Sequence, residues 1–136
     1  MFRSAWILFL IALSVATTNL KAQDAPLAAK FYFYRYFMLQ GVALRPSVYC
    51  DGKEVIRMQS GRVFEMDFQP GEHRCYLGDE KSGAVVKAEA GKDYYFRVFI
   101  QPGVVKGVFR LDMMMPEQGR FDIEKLKPSQ QPDTNK

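Results

Sequence analysis

Apolar and polar residues alternate with a period of two along most of the chain beyond its first 22 residues. The clearest example is residues 64–68, in which apolar residues alternate with Glu65 and Asp67. A strand places every second side chain on the same face. We therefore expect a β-strand here, with its apolar face toward a core and both acids toward water.

The same pattern predicts a series of short strands separated by turn residues. They cover residues 31–37, 47–50, 53–58, 63–68, 73–77, 84–89, 93–101 and 109–115, with a last short strand around Phe121 and Ile123. Asp51-Gly52 between two apolar runs is typical of a tight hairpin. No segment after residue 22 shows a helical pattern, and Pro116 is expected to end a strand. About eight short strands predict an all-β fold, a small antiparallel β-sandwich rather than a barrel.

The first 22 residues have the pattern of a secretory signal peptide. Arg3 precedes about a dozen mostly apolar residues, and Ala22 offers a small residue for cleavage, with a cut after Ala16 as the alternative. A membrane-spanning helix needs about 20 apolar residues, so we expect a discarded signal helix and no stable membrane span. The protein is expected to be exported, to a bacterial periplasm or to the extracellular space.

The remaining chain divides into three parts. Residues 23–30 are predicted to be a lead-in, residues 31–127 a single β-sandwich domain, and residues 128–136 a disordered tail. Loss of the leader removes Arg3 and Lys21 and no acid, which lowers the positive net charge. The basic residues are scattered among acids, so nucleic-acid binding is not expected.

Two cysteines, Cys50 and Cys75, remain after the leader. In an oxidising compartment such a pair can form one disulfide. Val48 and Leu77, each two residues from a cysteine, would place both thiols in a shared buried layer. Two buried free thiols are the alternative, and the sequence leaves both open.

Three short motifs in order resemble a known family. They are a strand, an Asp-Gly turn and a strand at residues 48–53, Pro-Gly-Glu-His at residues 70–73 and Ala-Gly-Lys-Asp-Tyr-Tyr at residues 90–95. This series resembles PEGA-like β-sandwich domains and is most similar to a related family of secreted bacterial proteins known only as a domain of unknown function. The resemblance spans residues 31–127. It implies a small cell-envelope β-sandwich, and it supplies no catalytic residue and no cofactor.

Candidate chemistry along the chain is sparse. His73 is the only histidine, and the chain lacks the Gly-x-Ser-x-Gly motif that presents the nucleophile of many hydrolases. An enzyme centred on His73 is therefore the weakest hypothesis. Glu65 and Asp67 are expected to face solvent rather than act as a glycosidase pair. The three methionines at 113–115 with His73 suggest copper(I), but alternation predicts that Met113 and Met115 pack in the core instead. We therefore expect no enzyme activity, no cofactor and no metal site.

The predicted strand at residues 31–37 carries a row of tyrosines on one face. We expect the other face to be buried; it consists of Phe31, Phe33, Arg35 and Phe37. The wetter face carries Tyr32, Tyr34 and Tyr36, and Tyr95 and Phe99 extend it if their strand is adjacent. Such a surface could stack on sugars or contact a protein. The alternatives are a strand buried on both sides, or a tyrosine face covered by a loop.

These patterns together predict a non-enzymatic exported envelope or secreted β-sandwich protein. Its expected role is that of an interaction or structural module, with an envelope protein or a polysaccharide as the expected class of partner. The alternative function is a glycan-binding module that uses the tyrosine-lined sheet face.

Overall fold

The computed structural model describes residues 27–102 and 107–127. The predicted leader and tail, with residues 23–26 of the lead-in, lie outside these residues. The elements are β1 (Ala29–Tyr34), β2 (Ser47–Cys50), β3 (Lys53–Arg57), β4 (Val63–Phe68), β5 (Gly71–Leu77), a 3₁₀ turn (Glu80–Ser82), β6 (Ala84–Ala88), β7 (Asp93–Gln101), β8 (Val108–Met114) and α1 (Pro116–Leu126). The described chain is therefore mostly β, with one short α-helix.

The strands form two four-stranded sheets. The first has the order β4-β1-β7-β8 and the second β3-β2-β5-β6. The β2–β3 hairpin turns at Asp51 and Gly52, which have φ angles of 54° and 80°. Positive φ at both turn positions suits Asp-Gly, as the sequence predicts. The second sheet is antiparallel throughout.

The first sheet departs from the antiparallel arrangement expected from the sequence. β1 runs parallel to β7, with Tyr32 opposite Tyr95 and Phe33 opposite Phe96. Parallel neighbours need a long connection between them. Here that connection contains β4 and the whole second sheet, so the period-two pattern of the strands did not reveal their direction.

Both sheets contribute side chains to one core. Phe31 and Phe33 are completely buried. The ring of Phe31 stacks on that of Phe68 with 4.2 Å between ring centres, and the ring of Phe33 stacks on that of Phe96 with 5.1 Å between centres. From the second sheet, Val48 lies opposite Leu77 and Cys50 opposite Cys75. The Sγ atoms of the two cysteines are 2.05 Å apart and form a disulfide between β2 and β5.

The predicted alternation in β4 is confirmed, because Glu65 and Asp67 are exposed while the apolar residues of the strand are partly buried. The burial predicted for three other side chains is wrong. Phe37, Met113 and Met115 are all exposed. β1 ends at Tyr34 and β8 at Met114, so Phe37 and Met115 lie outside the strands, and Met113 is at the open end of β8.

The prediction of a last strand at residues 121–123, and of no helix after the leader, is wrong. Residues 116–126 form α1, with Pro116 in its first turn, where proline is favoured. Gly119, Ile123 and Leu126 are buried on one side of the helix. That spacing of four and three residues is the helical repeat. β1 also begins at Ala29, inside the segment assigned to the lead-in.

Candidate functional site

The tyrosine row lies on the outer face of the first sheet. β7 is adjacent to β1, so Tyr95 extends the row, and its ring stacks on Tyr32 at 5.0 Å. α1 covers part of this face, because Gly119 lies against the Tyr95 ring. Tyr34 and Tyr95 are consequently buried, so the row is partly covered, by a helix rather than by a loop. The residues left partly accessible are Tyr32, Tyr36 and Phe99.

Beneath α1 the tyrosines bind a buried carboxylate. Tyr34 Oη donates a 2.6 Å hydrogen bond to Asp122, and the Gln118 side-chain amide donates one of 2.6 Å to its other oxygen. Burial of Asp122 acts to raise its pKa, but these donors, Tyr36 and the positive charge of Arg97 outweigh burial and lower it. The same burial and hydrogen bonding raise the pKa of Tyr36 to about 12. The cluster holds the helix on the sheet.

His73 joins two turns at one end of the domain. Its Nδ1 lies 2.6 Å from Asp51 Oδ2 and its Nε2 lies 2.6 Å from the Gln69 carbonyl oxygen. Both neighbours accept hydrogen bonds, so the doubly protonated ring satisfies both. Burial acts to lower the pKa of His73, and the bonds to Asp51 and Gln69 outweigh it and raise the pKa. Neither ring nitrogen is free to act as a base.

The other candidate side chains are separated in space. Glu65 forms a 2.7 Å ion pair with Lys30 on the surface. Met113 and Met115 are exposed rather than buried. Among residues 27–102 and 107–127, no group of three or more His, Cys, Asp or Glu side chains could hold a metal ion.

A cluster of exposed apolar side chains lies at the opposite end of the domain from His73. The β1–β2 loop, residues 35–46, carries most of them, and β8 begins beside this loop. Leu39 is 82% exposed and Phe37 63%. We define the apolar end as Phe37, Met38, Leu39, Val42, Leu44 and Val108. Exposed apolar side chains clustered in this way are typical of interaction sites.

A buried arginine holds this loop in place. Arg35 donates two 2.8 Å hydrogen bonds, to the carbonyl oxygens of Leu44 and Gly41. Its guanidinium also lies 4.9 Å from the centre of the Phe109 ring. Burial lowers the pKa of Arg35. These contacts tie the loop to both the end of β1 and the start of β8.

A serine fixes the first half of the same loop. The Ser60 hydroxyl donates to the Tyr36 carbonyl oxygen at 3.3 Å and accepts from the Met38 amide at 3.2 Å. Gly61, next to Ser60, lies against Phe37. The exposed side chains are therefore presented on a backbone that has its own hydrogen bonds, not on an unsupported segment.

Two surface cavities open at the apolar end. One, of about 220 Å³, lies between Gly41, Leu44 and Ile100. The other, of about 410 Å³, lies between Tyr49 and Leu77 of the second sheet and Phe109 of the first. The apolar end thus combines protruding side chains with open space between the sheets.

The charge around the apolar end is mainly basic. Residues 31–50 and 94–111 contain no Asp or Glu. Arg45 and Arg110 are exposed in these segments. Asp79 and Glu80 also lie at this end, on the β5–β6 connection, because Gly78 lines the 410 Å³ cavity together with Val108. Exposed Arg62 and Lys81 lie on loops at the same end, so basic residues outnumber the acids there. A basic rim beside apolar side chains favours an anionic or neutral partner over a positively charged one.

Sequence reasoning missed the apolar end. Gly41 and Pro46 indicate a loop, and the signal that could have identified the surface is the apolar composition of residues 37–44 within that loop. Loops are usually polar because they lie at the surface. An apolar loop without period-two alternation is therefore informative on its own.

No helix in the described residues is long and apolar enough to cross a membrane. The chain is similar to an uncharacterised protein of Haemophilus influenzae, with 31% identity over 97 residues that cover 70% of this chain and 57% of the relative. The chain thus spans little more than half of that relative's length. No solved structure is a significant match.

A family model described as "Protein of unknown function (DUF2846)" matches residues 27–110. The match covers β1 to β7 and the start of β8, and it ends before α1. Residues 27–110 are more than half of the 136-residue chain. The chain belongs to the DUF2846 family of proteins of unknown function.

Proposed function

We propose that this protein is a non-enzymatic, exported bacterial envelope protein that acts as an interaction module and engages its partner through the apolar end. The observation that carries the proposal is the exposure of Phe37 and Leu39 on a loop that buried Arg35 holds in place. A fixed apolar surface in water is retained only at a free-energy cost, and contact with a partner removes that cost.

Export is the second part of the proposal. It is supported by the leader pattern of residues 1–22 and by the Cys50–Cys75 disulfide, because disulfides persist in oxidising compartments. We place the protein in the periplasm or outside the cell. The two sheets with a shared core support our proposal of a PEGA-like β-sandwich.

The absence of catalysis is proposed from the roles of the candidate groups. His73 is engaged by acceptors at both nitrogens, and Asp122 is engaged by Tyr34 and Gln118. A general base needs a free lone pair within reach of a substrate. Glycan binding is a weaker proposal than contact through the apolar end, since α1 covers Tyr34 and Tyr95.

Site-specific photo-cross-linking in living cells tests this proposal. Benzoylphenylalanine replaces Leu39 at the apolar end or, as a control, Met115, which is 73% exposed at the other end. We expect adducts, to protein or to lipid, from position 39 and few from position 115. Equal yields at the two positions, or none from position 39, would contradict the proposal. Unchanged thermal unfolding of both variants confirms that they fold.

A further inference from the structure

We propose that the partner of the apolar end is an anionic phospholipid surface, into which Phe37 and Leu39 insert. This inference rests on the proposed interaction role of the same end. It assigns the partner class: a bilayer interface rather than a protein pocket or a sugar. The protein would lie on the bilayer through one end of its two sheets, without spanning it.

The arrangement of the side chains favours a bilayer. Leu39 and Phe37 are the most exposed apolar side chains of the β1–β2 loop, and Val42 and Leu44 of the same loop are exposed as well. Protruding apolar and aromatic side chains can enter the headgroup and acyl boundary of a bilayer without any matching shape. A protein partner would require complementary packing against each side chain.

The charge beside these side chains favours anionic lipid. Arg45 is exposed within the loop, and Arg110 is exposed on β8. Residues 31–50 contain no acid that would repel a negatively charged headgroup. Each basic residue near such a surface contributes about 1 kcal/mol to binding, which corresponds to about fivefold in affinity. Asp79 and Glu80 lie on the β5–β6 connection at the same end, and exposed Arg45, Arg62, Lys81 and Arg110 outnumber them.

The backbone of the loop also suits this role. The buried Arg35 donates hydrogen bonds to the carbonyl oxygens of Gly41 and Leu44. Within the loop, the Val42 amide donates to the Leu39 carbonyl at 3.2 Å, and the Leu44 amide donates to the Gly41 carbonyl at 3.0 Å. Backbone groups that already have hydrogen-bond partners can approach the apolar part of a bilayer at a lower free-energy cost than unpaired groups.

Tryptophan fluorescence offers a direct test, because Trp6 is the only tryptophan of the chain. In the full chain carrying Trp6→Phe, the reporter is Leu39→Trp, and the matched control is Met115→Trp at the other end. The probes are vesicles of phosphatidylglycerol and phosphatidylcholine in equal parts, vesicles of phosphatidylcholine alone, and the mixed vesicles with brominated acyl chains.

We expect the emission of the Leu39→Trp protein to shift to the blue with mixed vesicles and to be quenched by brominated chains. The response should be weaker with phosphatidylcholine alone and at high salt. Adding Phe37→Ser should weaken partitioning by about tenfold, and adding Arg45→Gln by about fivefold. The Met115→Trp protein should not respond.

No vesicle response at position 39, or an equal response at both positions, would overturn the lipid inference. If position 39 still cross-links to a protein in cells, the interaction role stands and only the lipid partner is wrong. If it neither responds to vesicles nor cross-links, both proposals fail. The two experiments together therefore separate a wrong partner from a wrong role.

Discussion

Arg35 and Asp122 are the deeply buried charged residues of the described chain, with 2% and 1% exposure. Arg35 donates hydrogen bonds to two carbonyl groups of its own β1–β2 loop. Asp122, on α1, accepts a hydrogen bond from Tyr34 of β1 and so ties the helix to the first sheet. Buried charges are tolerated when hydrogen bonds satisfy them. At this scale, isolated charges on otherwise apolar or aromatic faces determine which segments pack against the sheets.

His73 predicts a pH dependence of stability. Its pKa in the folded protein is raised above the ordinary value of 6.5. The charged ring therefore contributes its full stability below pH 6.5, and this contribution is lost as the pH rises through the raised pKa. We expect wild-type stability to fall by about 1 kcal/mol across that window, since the pair with Asp51 is partly exposed. Urea unfolding at a series of pH values measures it.

His73→Ala should remove this pH dependence. It should also remove a contribution that does not depend on pH, because the ring packs against Phe31 and Phe68. The variant is therefore expected to be less stable than the wild type at every pH, and by the larger amount below pH 6.5. Asp51→Asn is the matched control, since it leaves the ring in place and removes the carboxylate. A wild-type stability that rises through the same window, or a slope that survives in both variants, would refute the assigned roles.

For many residues, the alternating pattern was sufficient to predict whether the side chain points to the core or to solvent. The exceptions have physical causes. Glu65 and Asp67 face water as expected because β4 is an edge strand with one solvated side. Phe37 is exposed because the strand ends at Tyr34, so the alternation no longer applies. The burial of Tyr34 required knowledge of α1, which lies more than 80 residues later in the sequence.

At the scale of elements, the helix α1 differs from the strand expected at residues 121–123 because its sequence pattern is ambiguous. Its eleven residues contain a glycine and few apolar side chains, so the helical signal is weak. Pro116 is compatible with the end of a strand, and proline also favours the first turn of a helix. The buried residues Gly119, Ile123 and Leu126 carry the helical spacing in retrospect.

Gly119→Ala tests how α1 packs. A Cβ at this position would overlap the Tyr95 ring. Alanine favours a helix by about 1 kcal/mol over glycine, but we expect the variant to be destabilised by about 1–3 kcal/mol, because the close contact must open. Denaturant unfolding followed by circular dichroism provides the measurement.

Glu124→Ala is the control for Gly119→Ala. Glu124 is exposed on the same helix, so its replacement should change stability by about 0.5 kcal/mol or less. A Gly119→Ala protein as stable as the wild type, or more stable, would show that α1 does not rest on Tyr95.

At the scale of the whole molecule, the period-two pattern was sufficient to predict a mostly β protein, and it was insufficient to predict the arrangement. Strand positions follow from side-chain alternation, but the parallel pairing of β1 with β7 depends on contacts between distant segments. The apolar end was missed for a related reason. The apolar composition of residues 37–44 indicates an exposed surface, but its extent depends on the contact between the β1–β2 loop and the start of β8, which are distant in the sequence.

The central claim is that the apolar end is the surface covered in the envelope. Methionine oxidation of the wild-type protein, mapped by mass spectrometry, tests it most directly, because Met38 lies in the apolar end while Met115 is exposed at the other end. Peroxide should oxidise both in the free protein. In envelope preparations we predict that Met38 is protected and Met115 stays reactive. Equal reactivity of Met38 in the two preparations would contradict the account.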